Sequence, residues 1–96
     1  MLQLYQAEWC PHSRKVRQRL TELGVDFLVR QVAAEPEDRA DMRAAVGGDE
    51  IPVLVREDDS ILTGEDDILR WIDDTYAADQ EEQHRAKALD NAGLPG

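Results

Sequence analysis

Ninety-six residues, 42% of them apolar and 33% charged, fit one small folded domain and exclude an extended disordered chain. The net charge of −10 is unevenly spread: residues 1–30 hold five basic and three acidic side chains, and the remainder holds six basic and eighteen acidic. With no domain-wide positive field to release phosphate counterions, nucleic acid is not expected as a partner, and a lone cysteine excludes an internal disulfide.

In chain order, Leu2 and Leu4 alternate with polar residues up to Gln6, the pattern of a short strand. Ala7 to His12 reads as a loop, with Pro11 suited to the first turn of a helix, where its missing N–H costs nothing. Val16, Leu20 and Leu23 then recur at i, i+4 and i+7, one apolar stripe of a helix that Gly24 should end. Val25 to Val32, with Phe27, Leu28 and Val29 in a row, predicts a well-buried strand. Reached through a helical crossover, it would complete a parallel βαβ unit.

Glu35-Pro36-Glu37-Asp38 looks like the start of a second helix, with Met42, Ala45 and Val46 as its apolar side and Gly47-Gly48 as its end. Ile51 to Val55 reads as a third strand, and Asp58-Asp59 as a tight turn into Ser60-Ile61-Leu62, so strands three and four should form an antiparallel hairpin. Thr63 and Gly64 open a third helix, Thr63 as a possible cap, with Ile68, Leu69, Ile72 and Tyr76 facing inward. Trp71 is most simply core or a partly exposed edge. The order β-α-β-α-β-β-α predicts an α/β (α+β) fold with one four-stranded mixed sheet and helices on both faces. Residues 1–78 would form the domain. Residues 79–96 would be a polar extension, partly helical or disordered, with a frayed end.

No apolar run approaches the roughly 20 residues that span a bilayer. The opening Met1-Leu2-Gln3-Leu4-Tyr5 lacks the basic flank and longer apolar run of a signal peptide. A cytoplasmic monomer with no membrane contact is the expectation.

Cys10 carries the clearest chemical signal. The thiolate is the reactive form of cysteine, a free thiol titrates at about 8.5, and a helix N-terminus lowers that value. First turns favour acids, yet this one has Arg14 and Lys15, followed by Arg17 and Arg19. Cations there are intelligible if an anion, the thiolate of Cys10, sits at the helix end. The alternative is a small buried hydrophobe, the usual role of a lone cysteine.

The run Trp9-Cys10-Pro11-His12-Ser13 after the first strand resembles the active-site loop of glutaredoxins. Ile51-Pro52-Val53 is similar to the segment in which that family places a cis-proline facing the cysteine. Thr63-Gly64-Glu65-Asp66-Asp67 is similar to its loop for the γ-glutamyl end of glutathione. The three matches fall in order over roughly Leu2 to Tyr76, and glutathione transferase N-terminal domains share the layout.

The resemblance implies a thioredoxin-like fold and glutathione, or another small thiol, as co-substrate. It also implies glutathionylated or disulfide-containing proteins as partners. Cys10 would be the nucleophile. Ser13, standing where dithiol members carry a second cysteine, makes the chemistry monothiol and could donate a hydrogen bond to the sulfur, with Arg14 tuning it. Trp9, Pro11, His12, Ile51, Pro52, Gly64, Glu65 and Asp66 would bind the thiol. Ile51 would present its backbone to the ligand's peptide, and backbone N–H groups near Glu65 and Asp66 would hold a carboxylate. Asp66 would take the ligand's amino group.

Each of these has a plainer alternative. The acids at 65–67 also suit the dipole of a first helical turn. His12, in place of the family's tyrosine, either steadies the thiolate when protonated or is an exposed loop residue without a role. The family's lysine before the cysteine is missing, and Glu8 would oppose thiolate formation. His84 lies in the polar tail, no His/Cys cluster has metal-ligand spacing, and no metal is expected. An iron–sulfur carrier is a second functional class, disfavoured by Pro11 and His12 where such members have a glycine. A non-catalytic thiol-binding module related to transferase N-terminal domains is a third. Transferase activity itself is not expected, because the chain stops before an all-helical second domain.

Overall fold

The computed structural model describes residues 1–77; the expected extension, residues 79–96, lies outside the described residues, as does His84. Strands β1 (Leu2–Gln6), β2 (Phe27–Gln31), β3 (Val53–Val55) and β4 (Ile61–Thr63) form one sheet in the order β2-β1-β3-β4. Helices α1 (Pro11–Glu22), α2 (Ala40–Val46) and α3 (Glu65–Ile72) complete the expected order. A 3₁₀ turn, Pro36–Asp38, precedes α2, and a π turn, Asp73–Ala77, follows α3. Among the described residues no helix is long and apolar enough to cross a membrane.

The sheet is mixed. β1 runs parallel to β2, Leu2 opposite Phe27 and Leu4 opposite Val29, and antiparallel to β3, Leu4 opposite Leu54. β3 and β4 make the antiparallel hairpin, Leu54 opposite Leu62. Alternation along each strand therefore sends Leu2, Leu4, Leu54 and Leu62 to one face. Helices α1 and α3 pack there and bring Val16, Leu20, Ile68 and Ile72, so that these residues, Leu62 apart, leave at most 1% of their surface exposed. Leu23, just past the end of α1, joins the same cluster. Arg19 ties α1 to Asp73 beyond α3 at 2.6 Å.

Several expectations are corrected. The second strand is shorter than Val25 to Val32 and is not well buried: it lies at the edge of the sheet, and on the face away from α1 and α3 its Leu28 is 43% exposed. The apolar run Phe27-Leu28-Val29 thus mimicked a central strand. Ala45 is exposed, because α2 has only seven residues and turns Met42 alone fully inward. The third strand begins at Val53 rather than Ile51, after a cis Ile51–Pro52 peptide. Thr63 does not cap α3. Gly64 occupies that position at φ 87°, and no side chain bonds the helix end. A Cβ on Gly64 would meet nothing within 4 Å, so the left-handed backbone, rather than crowding, accounts for glycine there.

Candidate functional site

Cys10 caps α1 from an extended backbone (φ −78°, ψ 120°), with Pro11 as the first helical residue and no acid in the first turn. The loop before it is firmly held. Its N–H reaches the Ala7 carbonyl at 3.1 Å. Buried Gln6 donates to Gln31 at 2.9 Å and to Glu8 at 3.1 Å, and its own carbonyl oxygen accepts from Arg17. Arg17 also donates to the Ala7 carbonyl at 3.3 Å and pairs with the Glu8 carboxylate at 3.4 Å. Neither Gln6 nor Arg17 stood out as part of this support in the sequence, since their partners lie on other elements.

Cys10 is a free cysteine, 6% exposed. Burial pushes its thiol up, but the hydroxyl of Ser13, the backbone N–H groups of Ser13 and His12, and the charge of Arg39 outweigh that and leave it below the usual thiol value. Ser13 is wholly buried, and its Oγ has no hydrogen-bond partner of conventional geometry. Both descriptions hold together because a thiol is a poor acceptor, whereas a thiolate attracts a nearby hydroxyl strongly.

Among the groups that lower the thiol, Arg39 is the cation and contributes least. Arg14 is exposed on the outer side of α1, beside Arg17, Gln18, Thr21 and Glu22, and Lys15 pairs with Glu65 at 3.3 Å. Arg39, before α2, is buried, and its guanidinium donates to the carbonyls of Ala33 (2.7 Å), Asp49 (2.8 Å) and Ala34 (3.1 Å). Backbone partners leave no trace in side-chain patterns, so Arg39 was not legible. Glu8, expected to oppose the thiolate, is occupied by Gln6 and Arg17 and is not among the groups acting on Cys10.

A cleft of ≈ 810 Å³ opens beside this helix end. Its walls include His12, Ile51, Pro52, Gly64, Glu65 and Asp66, which brings together six of the expected binding residues from three separate parts of the chain. Cys10 sits two positions before His12. Trp9, 64% exposed, and Pro11, also exposed, are not part of the lining. His12 Nδ1 lies 2.7 Å from Glu65 Oε2. That bond, together with the pairing to Lys15, holds the Glu65 carboxyl below the usual carboxylate range. The imidazole is therefore engaged with Glu65, and the part of His12 that acts on Cys10 is its backbone N–H. Among the described residues no three His, Cys, Asp or Glu side chains cluster as a metal site would require.

A central strand parallel to one neighbour and antiparallel to the other, a cysteine at the mouth of the first helix and a cis-proline before β3 define a thioredoxin-like domain. Residues 4–82 match the family described as glutathione S-transferase, N-terminal domain, and the chain belongs to that family. No match is found among curated proteins.

Solved structures resemble it throughout the domain. A diazinon-metabolizing glutathione S-transferase of the silkworm Bombyx mori is 33% identical, with 79% of this chain and 38% of that one covered and a TM-score of 0.68. A glutathione transferase homolog from Sulfitobacter, with bound glutathione, shares the fold at 24% identity, covering 81% and 38% of the two chains with a TM-score of 0.72. Glutaredoxin 2 of Salmonella typhimurium, in complex with glutathione, shares it at 22% identity, covering 76% and 33% with a TM-score of 0.67. The chain thus spans little more than a third of the length of these proteins.

Proposed function

We propose that this chain is a monothiol thiol–disulfide oxidoreductase that uses glutathione, or a related small thiol, as co-substrate. In the reaction, the Cys10 thiolate attacks one sulfur of a mixed disulfide. The S–S bond breaks, the small-thiol group stays on Cys10, and the displaced sulfur leaves as a thiolate. A second small thiol then attacks the Cys10 disulfide and restores the starting form. Partners would be glutathionylated or disulfide-containing proteins, met by a monomer in the cytoplasm.

The observation that carries this reading is the environment of Cys10: a capping position on α1 where Ser13, two backbone N–H groups and Arg39 together overcome the cost of burial. The cleft supports the ligand class. Ile51, before the cis-proline, can pair its backbone with an extended peptide. The first N–H groups of α3, at Glu65 and Asp66, suit a carboxylate, and the Asp66 side chain an amino group. Glutathione bound to the Sulfitobacter homolog and to the Salmonella glutaredoxin points the same way.

The family match favours one further reading, in which residues 4–82 serve as the thiol-binding half of a transferase without disulfide chemistry of their own. The alkylation rate of Cys10 against pH, with reduction of a glutathionylated peptide, separates the two. A thiolate titrating below about 8.5 and loss of all turnover in Cys10→Ser are expected. Equal turnover by wild type and Cys10→Ser would leave only the binding reading.

A further inference from the structure

The sulfur displaced in that reaction leaves as a thiolate, and protonating it as it departs would ease its release. His12 lines the cleft two residues after the nucleophile, and its side chain is 61% exposed. Its Nδ1 is held 2.7 Å from Glu65 Oε2, while the other oxygen of that carboxylate pairs with Lys15 Nζ at 3.3 Å. Glu65 is only 16% exposed, so the carboxylate is a fixed and mostly sheltered partner. A ring nitrogen bonded to a carboxylate settles which nitrogen carries the inner proton and leaves Nε2 as the free one. The same arrangement of base and orienting acid underlies proton transfer in many enzymes.

We propose that His12 is the proton donor to the departing thiolate, and that Glu65 is the positioning residue that orients its ring. The proposal rests on the reading of Cys10 as nucleophile and adds to it. As the Cys10–sulfur bond forms and the donor disulfide breaks, the electron pair goes to the leaving sulfur, and a proton passes to that sulfur from Nε2 of the protonated ring. The exposed ring recovers its proton from water before the next cycle. The low titration of Glu65, set first by its bond to His12, keeps the orienting carboxylate charged throughout the neutral range. Lys15 completes the set of charges on Glu65 and holds that carboxylate in place from the same helix.

The test compares two donors that load the same glutathionyl group onto Cys10 of the full chain. One releases an alkyl thiol, which needs a proton to leave as a neutral product; the other releases a nitrophenyl thiol, already stable as an anion. In His12→Gln the amide still reaches Glu65, so a purely structural tether survives, but the exchangeable ring proton is lost. Loading from the alkyl donor should fall about tenfold, less than the usual general acid effect because a thiolate is already a tolerable leaving group, and loading from the nitrophenyl donor less than about twofold. Glu65→Gln should show the same selective loss in weaker form. Equal losses with both donors, or none with either, would overturn the role of His12 while leaving Cys10 as nucleophile. Failure of the wild type to load from both donors would instead remove the nucleophile, and this proposal with it.

Discussion

The two faces of the sheet are built on different principles. Against α1 and α3 the contact is apolar and closed, with Leu2, Leu4, Val16, Leu20, Leu54, Ile68 and Ile72 all at 0–1% exposure. On the other face Val53 is the one strand residue that is buried. Gln3, Tyr5 and Val55 are half covered, and Leu28 and Ile61 are exposed. What fastens α2 there is Met42 beside Tyr5 and, above all, a guanidinium spread over three carbonyls. Apolar packing holds one side, and hydrogen bonds from Arg39 and Arg43 hold much of the other. The asymmetry suits the site. The closed face fixes the two helices that bring His12 and Glu65 together, and the lightly packed face carries the segment that leads to Pro52.

Leu54→Ala should cost about 4 kcal/mol in denaturant unfolding, because its neighbours are already closely packed and cannot fill the gap, whereas Met42→Ala should cost about 2 kcal/mol. Equal costs, or a larger one at Met42, would erase the distinction between the faces.

Next comes the arginine. Arg39→Leu should cost about 3 kcal/mol, since it strands carbonyls that Arg39 now satisfies, and Arg39→Lys should recover only part of this because an ammonium cannot span three acceptors as the planar fork does. While folded, both variants should keep the near-ultraviolet signature of the α1–α3 side, and its loss before unfolding would show the faces to be coupled.

The smallest effect is electrostatic. Glu65 has its carboxyl depressed by His12 and Lys15. A depressed acid stabilises the fold above the unfolded carboxylate value of about 4.3, and that contribution disappears as the pH falls through the lower folded value. The melting temperature of the wild type should therefore exceed that of Glu65→Gln above about pH 5, and the two should converge under stronger acid. A margin that persists in acid would mean that Glu65 acts by packing and not by charge.

The parts of this protein that were legible are those in which periodicity and burial coincide. Leu2 and Leu4 on a strand, and Val16, Leu20, Ile68 and Ile72 on helices, announced their faces through spacing alone. The same logic failed for Phe27-Leu28-Val29, because an edge strand can be as apolar as a central one, and for Ala45, because alanine tolerates either environment. At the site, Cys10, Pro52 and the Gly64–Asp66 segment could be placed by resemblance, and the structure brings Pro52, Gly64, Glu65 and Asp66 to one cleft with His12. Charge was harder. Arg14 looked well placed on proximity in sequence, but 3.6 residues per turn carry it to the outer side of α1. Arg39, twenty-nine positions after Cys10, adds a small favourable charge at the thiol behind the hydrogen bonds from Ser13 and His12. The His12–Glu65 bond joins residues 53 apart, a pairing no local pattern encodes.

The central position of β1 has a consequence for how the chain is made. Its ladder with β3 sets Gln3 against Val55, so the strand synthesised first must wait for a partner about fifty positions downstream, at a closure cost that grows only slowly with that distance. Until Val55 clears the ribosome, a nascent chain can pair β1 with β2 but leaves its other edge bare, with Leu4 and Leu20 lacking the cover that Leu54 and Ile68 later provide. Emergence of the hairpin and of α3 behind it, rather than of the cysteine loop, is then the moment at which this domain can close.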